Sequence, residues 1–254
     1  MIELLSYVGG ATGNVKVIEK FVMPQLERER KIWIYLPHDY DLTKINYPVL
    51  YMHDGQNLFA PETSYCGEWS VDDTLEALAQ EKCDCGIIVV GIESGRFRDQ
   101  ELTPGCADCD HYVDFIVSTL KPYIDKTFRT CPEREQTGIM GSSFGGQTSI
   151  YAALKHPTVF GLVGAFSPSL FLTADTITRH PIAQPIKYFI CAGEREAAHC
   201  DQEIATRFTP NVCAVAHALI ACGHTVKLMI DEDGQHNEAY WAKKFPEAYE
   251  YLFR

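Results

Sequence analysis

The run Gly141-Ser142-Ser143-Phe144-Gly145-Gly146 contains the pattern G-x-S-x-G once in the chain. A serine hydroxyl is a weak nucleophile near neutral pH, so the pattern has chemical meaning only where a base and an oxyanion site accompany it. Its surroundings supply the first condition for that. An apolar strand through Ile139 and Met140 precedes it, and a helix from Phe144 to Leu154 follows. A tight strand-to-helix turn forces its central serine into a strained conformation, and side chains at the flanking glycines would collide with neighbouring backbone. Ser143 would then stand at a helix N-terminus, where the dipole favours developing negative charge. Ser142 is the alternative nucleophile, but its spacing does not match the turn. Without the strand and the helix, the run would read as a glycine-rich turn holding two ordinary serines.

Where such a serine turn serves a hydrolase, its partners follow in the order serine, acid, histidine, so a base is expected in a loop after the last strand. That strand is Val226 to Ile230, and His236 follows it. His38, His111, His156, His180, His199 and His224 read as loop or helix-end residues, and His217 lies inside a helix. His53 lies near the expected site but precedes the serine, which suits a supporting role. The acid is expected after the preceding strand, which ends Cys191-Ala192-Gly193. Glu194 and Glu196 follow, with Asp201 a third choice. Any of them could hold the imidazole tautomer and stabilise the imidazolium. Asp231 and Asp233 stand too near His236 in sequence to reach its far nitrogen easily. The oxyanion needs two N–H groups. One would be the amide of Phe144. The other would come from His53-Asp54-Gly55-Gln56, where Gly55 lets backbone approach a substrate closely.

The elements that must position these groups alternate. Val15 to Val22 and Lys31 to Leu36 read as strands. Pro48 to Met52, Gly86 to Ile92, Gly138 to Gly141, Phe160 to Phe166 and Ile186 to Ala192 are short apolar runs of the buried-strand kind. Val71 to Glu81 reads as a helix capped by Ser70. His111 to Phe128 reads as a helix kinked at Pro122, Cys200 to Cys222 as one interrupted at Pro210, and Asn237 to Phe253 as the closing helix. From Pro48 onward the order predicts a mostly parallel sheet with helices on both faces and antiparallel strands added at one edge. No linker, repeat or low-complexity segment divides residues 1–254, so one domain is expected.

Composition narrows the function classes. A net charge of −12 disfavours a nucleic-acid or anionic-membrane partner, since either needs a basic footprint. The densest basic group, Arg28, Arg30 and Lys31, is interleaved with Glu27 and Glu29. The start MIELLSYVGG lacks the basic region of a signal peptide, and no apolar run is long enough to span a bilayer, so a cytoplasmic protein is expected. Ten cysteines in such a chain read as reduced thiols. Cys83 and Cys85 form one close pair. Cys106, Cys109 and His111 give C-x-x-C-x-H, but no second half of a zinc site is present, so no metal and no cofactor are expected.

Three segments together carry a resemblance. They are Tyr47-Pro-Val-Leu-Tyr-Met-His-Asp-Gly-Gln-Asn-Leu-Phe59, Gly141-Ser-Ser-Phe-Gly-Gly146 and Gly234-Gln-His-Asn-Glu-Ala-Tyr-Trp241. In this order they resemble the esterase D-like family of α/β-hydrolases, which includes feruloyl, acetyl-xylan and enterochelin esterases and S-formylglutathione hydrolases. The likeness runs from about Pro24 to the C-terminus. It implies the α/β-hydrolase fold, Ser143 as nucleophile and His236 as base. Family members carry the acid three residues after the glycine that ends the strand, which points to Glu196, although many relatives have Asp there. Gly55 matches a position that supplies an oxyanion amide. Arg98 with Glu101-Leu-Thr-Pro104 resembles an active-site-side loop. The chain departs from the family at Gly105-Cys-Ala-Asp-Cys-Asp110, where many relatives have a glycine-rich stretch.

The expected activity is therefore hydrolysis of a small-molecule carboxylic ester, with a small acyl or carbohydrate-linked substrate, by a Ser-His-acid triad. Gln56, Arg98 and Trp241 are expected to meet the substrate. Trp69, Phe59, Phe97, Phe171 and Trp241 could line an acyl or aromatic pocket, although each also suits core packing and Trp241 could simply anchor the last helix. A thioesterase with the same triad and a non-catalytic binding protein on the same scaffold are the rivals.

Overall fold

The computed structural model describes residues 4–6, 10–82, 86–169, 184–196 and 202–254. Phe171, His180, His199, Asp201 and Cys83, Cys85 and Cys200 lie outside the described residues.

The sheet among these residues has nine strands. Strands β1 (Leu5–Ser6), β2 (Asn14–Met23) and β3 (Arg28–Leu36) pair antiparallel at one edge. β3 then pairs antiparallel with β5 (Ile88–Ile92). β5 pairs parallel with β4 (Val49–Met52), and β6 (Thr137–Ser142), β7 (Leu162–Phe166), β8 (Lys187–Gly193) and β9 (Thr225–Asp231) continue the parallel part. The spatial order is β1-β2-β3-β5-β4-β6-β7-β8-β9. This is the mixed α/β, mostly parallel architecture of the α/β-hydrolase fold.

The order matters for the site. From β4 the chain steps outward to β5, then returns past β4 to β6 and proceeds the other way. The loops leaving β4 and β6 therefore diverge, and a crevice opens outside the carboxyl ends of these two strands. Ligands of open α/β sheets bind at such a reversal. The segments holding Asp54, Gly55 and Ser143 leave these two strand ends.

Helices cover both faces: α1 (Val71–Lys82), α2 (Arg98–Glu101), α3 (Ala107–Phe115), α4 (Lys121–Thr127), α5 (Phe144–Lys155), α6 (Gln202–Ala221) and α7 (Glu238–Phe253). Two apolar layers result. Ile34, Tyr51, Ile139, Phe115, Ile150 and Leu219 belong to one, and Leu50, Met140, Trp69, Phe166, Trp241 and Phe245 to the other. Every residue of β4, β5, β6 and β7 is buried, which explains why these strands read as continuous apolar runs rather than alternating ones.

The two prolines behave differently. Ahead of Pro122 the helix widens into a π turn, Ile116–Leu120, which joins α3 to α4. Proline has no amide to donate and its ring crowds the carbonyl four residues back, so the ladder is rearranged there. At Pro210 the expected interruption does not occur: α6 continues through it from Gln202 to Ala221. A mid-helix proline costs about 3 kcal/mol. Val212, Val215 and Leu219 are buried under α6, and each contributes roughly 1.5–3 kcal/mol. Packing outweighs the local penalty. The last helix, α7, likewise runs through Pro246.

Candidate active site

At the end of β6 the backbone of Ser143 takes φ 55° and ψ −122°, and α5 begins at the next residue. Positive φ is costly for serine, so the surroundings must enforce it. They do so through close packing. A Cβ on Gly141 would lie 2.8 Å from the His53 ring and 2.9 Å from the carbonyl carbon of Gly145. One on Gly145 would lie 3.1 Å from Cβ of His53. The Ser143 amide donates to the Phe166 carbonyl at 2.9 Å, which ties the turn to β7. Phe144 is the first residue of α5, and amides of a first helical turn have no carbonyl behind them within the helix.

The loop after β4 faces this turn. Asp54 also has a left-handed backbone, φ 56°, and Gly55–Asn57 form a single 3-10 turn. A Cβ on Gly55 would stand 2.6 Å from the carbonyl carbon of Gly91, so only glycine fits against β5. The Gln56 side chain is buried, and its Oε1 accepts the Ser94 amide at 3.0 Å. Gln56 thus ties the loop after β4 to the loop after β5.

His236 follows β9, as expected. Its Nδ1 lies 2.7 Å from Oε2 of Glu196, whose side chain is 1 % exposed. The other Glu196 oxygen accepts the Gly193 amide at 2.7 Å and the Ser167 hydroxyl at 2.5 Å. Trp241 Nε1 donates to that same Ser167 oxygen at 2.8 Å, and the Trp241 ring stands edge-on to His236 with centroids 5.1 Å apart. Of the three expected acids, Glu196 meets the histidine. Glu194 is exposed in the same turn.

A close backbone crossing makes this contact possible. A Cβ on Gly193 would fall 2.0 Å from the Gly234 carbonyl oxygen. The loops after β8 and β9 therefore touch main chain to main chain, and Arg195 N donates to Gly234 O at 3.1 Å. Asp231 and Asp233 serve elsewhere. Asp231 accepts from Tyr240 and Lys244, and Asp233 pairs with Arg195.

Ser143, His236, Gln56, Arg98 and Trp241 line one cleft of about 370 Å³, together with Asp54, Ser94, Tyr65 and Glu238. Ser143 Oγ lies 3.0 Å from Ser169 Oγ; among the described residues that is its side-chain partner. Arg98 grips Asp54 through two parallel bonds of 2.7 Å, and Ser94 Oγ adds a third contact to the same carboxylate. Burial pushes the Asp54 carboxyl up, but Arg98 and Ser94 outweigh it and hold the group below the usual range. Arg98 opens the short helix α2. Glu101, buried at the end of α2, pairs with both Arg28 and Arg30 of β3.

The aromatic candidates divide. Phe59 and Trp69 belong to the core, with Trp69 5.9 Å from Trp241. Phe97 lies under the guanidinium groups of Arg28 and Arg96. His53 is fully buried beneath the serine turn, with Nδ1 2.9 Å from the Tyr112 hydroxyl. Cys106 and Cys109 begin α3. Burial pushes the Cys109 thiol up to about 12, while His111, two residues on, is exposed. Among the described residues no helix is long and apolar enough to cross a membrane.

Sequence reasoning missed Ser167, Ser169, Asp54 as Arg98's partner, and Glu238. The signal for the serines was the run Phe166-Ser-Pro-Ser169 directly after β7, at a strand end that faces the site.

Comparison with known proteins gives the family and the fold. The protein YbbA of Bacillus subtilis (strain 168) is 26% identical over 241 residues, covering 88% of this chain and 92% of YbbA. The endo-1,4-beta-xylanase/feruloyl esterase of Xylanibacter ruminicola is 24% identical over 228 residues; the match covers 87% of this chain and 29% of that longer protein. Among solved structures, the enterobactin esterase FES from Shigella flexneri superposes with a TM-score of 0.74 at 18% identity, over 98% of this chain and 61% of FES. The BES protein from Bacillus cereus gives 0.73 at 17%, over 99% and 98%. These structural likenesses carry the fold. The family model described as "Putative esterase" matches residues 24–252, so the chain belongs to the Esterase family and is a carboxylic ester hydrolase.

Proposed function

We propose that Ser143, His236 and Glu196 form a triad that hydrolyses a small acyl or carbohydrate-linked ester through an acyl-enzyme. The observation that carries this is the 2.7 Å contact between His236 and the buried Glu196, in the cleft that also holds the strained Ser143. Glu196 fixes the imidazole with Nδ1 protonated, which leaves Nε2 to accept a proton. Ser143 Oγ first gives up its contact with Ser169. It then attacks the ester carbonyl while its proton passes to His236 Nε2. The amides of Gly55 and Phe144 stabilise the tetrahedral oxyanion. His236 returns the proton to the departing alcohol. Water attacks the acyl-enzyme in a second round, with the same proton route, and frees the acid.

No step calls for a metal or an organic cofactor. Residues 1–254 act as one domain, a reading supported by a sheet that takes strands from Leu5 to Asp231. The free thiols, Cys66, Cys106, Cys131 and Cys213 among them, suit the reducing cytoplasm. The names of the feruloyl and enterobactin esterases support an ester of an aromatic acid or a carbohydrate within this class.

The test is hydrolysis of p-nitrophenyl acetate and a matched thioester by wild type and Ser143→Ala, with mass spectrometry after a fluorophosphonate probe. The expected result is a probe adduct on Ser143 and loss of both signals in the variant. Retained wild-type turnover in Ser143→Ala would end the assignment.

A further inference from the structure

The polar wall of the cleft holds two carboxylates and one guanidinium, and they are not equivalent. Asp54 is fully engaged by Arg98 and Ser94. That engagement also satisfies the inner edge of Arg98, so the pair is close to neutral as a unit. Glu238 is different. It is half-buried, lines the same cleft as Ser143 and His236, and among the described residues makes no side-chain ion pair. Its one hydrogen bond is to its own backbone.

Its position is fixed from three sides. Glu238 is the first residue of α7, two residues after His236, so the turn that places the histidine also places the carboxylate. Asn237 caps that helix by accepting the Tyr240 amide at 2.9 Å. Across the cleft, Gly67 (φ +128°) brings its backbone against Glu238, leaving only 3.2 Å between a Gly67 Cβ and the Glu238 Cβ. The Gly67 loop is itself held by Asn57, whose Oδ1 accepts the Tyr65 amide at 3.0 Å. A carboxylate accepts hydrogen bonds and donates none when ionised. With its own backbone amide as its protein donor, the Glu238 carboxylate keeps lone pairs for a donor on the ligand.

We infer that Glu238 is a specificity-determining residue: it selects esters bearing a hydroxyl or ammonium donor close to the scissile bond and rejects esters bearing an anion there. This rests on the Ser143 reading above and names the substrate class for that site. Burial first, and the nearby Asp54 next, push the Glu238 carboxyl above its ordinary range, against the opposing pull of its own amide, His236 and Arg98. An anion there would meet Asp54 and Glu238 together, with the Nε and Nη2 edge of Arg98 already paired to Asp54. A donor would replace the water lost by Glu238 on substrate entry. Charge-assisted bonds of this kind are about twice as strong as neutral ones, enough to set preference by roughly tenfold.

The experiment is a matched panel of aryl acetates carrying para-methyl, hydroxymethyl, ammoniomethyl or carboxylate groups. The methyl esters of the correspondingly substituted phenylacetic acids carry the same groups on the acyl side. Wild type, Glu238→Gln and Ser143→Ala are compared by kcat/KM, and fluorophosphonate labelling counts reactive sites. Wild type should prefer a donor-bearing ester over the carboxylate one by about tenfold or more. Glu238→Gln should shrink the ammonium-to-carboxylate ratio by about tenfold, mostly through KM. The hydroxymethyl ester separates the sources. A preference confined to ammonium marks a cationic substrate, and one shared with hydroxymethyl marks a polyol or phenol; both uphold the inference. An unchanged ratio in a Glu238→Gln protein that still labels on Ser143 would overturn it and leave the serine mechanism standing. Hydrolysis surviving in Ser143→Ala would overturn both.

Discussion

The serine turn and the acid–histidine arm are built in opposite ways. The turn is local. Six consecutive residues, Gly141 to Gly146, span the end of β6 and the start of α5 and hold Ser143 at φ 55°, and the constraint is steric, imposed by Gly141 and Gly145 against His53 and against each other. The acid–histidine arm is assembled from four separate places: Gly193 to Glu196, Ser167, His236 and Trp241. Its members are bound by hydrogen bonds and one backbone crossing. The difference teaches where strain and adaptability reside. A strained serine needs rigid walls, whereas an imidazole needs only a satisfied partner and a brace.

The largest effect should come from the turn. Ser143→Ala is expected to lower kcat by about four to six powers of ten while the fold persists, read by ester turnover and circular dichroism. The acid arm should break at its crossing. Gly193→Ala puts a methyl group 2.0 Å from the Gly234 carbonyl, and neither backbone can rotate away as a side chain would. The loops must separate, and Glu196 leaves His236. A loss of about two to four powers of ten in kcat/KM is expected, comparable to removing the orienting acid. Fluorophosphonate labelling of Ser143 should slow in parallel. If Gly193→Ala matched wild type, the crossing would not be what positions Glu196. Trp241→Phe is milder. It keeps an aromatic edge against His236 and removes the donor to Ser167, one bond of about 1 kcal/mol. A fall of roughly tenfold or less in kcat, restored in no part by raising substrate, would mark Trp241 as a brace; a rise in KM alone would mark it as substrate contact.

The same contrast explains what the sequence disclosed. The turn was legible because a backbone that admits only glycine leaves glycine at fixed spacing. The alternation of buried strands and helices was legible because burial on both faces leaves unbroken apolar runs such as Ile88–Ile92. The acid stayed open between Glu194, Glu196 and Asp201 on local reading, because spacing along a loop does not say which carboxylate turns inward. Only the family resemblance pointed to Glu196. The 193–234 crossing and the Ser167 bridge involve residues 41 and 74 positions from their partners' elements, Gly234 and Trp241. No periodicity reports such pairings. Pro210 misled for a related reason: local propensity predicts a break, and the burial that overrides it is a property of the whole helix.

The smallest effect at neutral pH tests whether the turn depends on burial as well as on glycine. His53 lies under it, fully buried, with Tyr112 on Nδ1 and no partner for Nε2 among the described residues. Burial lowers its pKa from 6.5 to about 4. The folded value lies below the unfolded one, so the folded state resists protonation. The associated stability is complete above about pH 6.5 and is lost as pH falls toward 4. At about 1.4 kcal/mol per unit the loss is on the order of 3 kcal/mol. His53→Leu removes the titration and keeps an apolar filling against Gly141 and Gly145. Wild type should therefore lose more stability than the variant between pH 7 and 4, by several degrees in Tm at roughly 2–4 °C per kcal/mol. Asp54, held low chiefly by Arg98 and Ser94, titrates in both proteins, so only the small part of its shift that comes from His53 differs between them. Parallel Tm curves for the two would show that His53 takes up its proton without cost, and that the glycines alone enforce the geometry at Ser143.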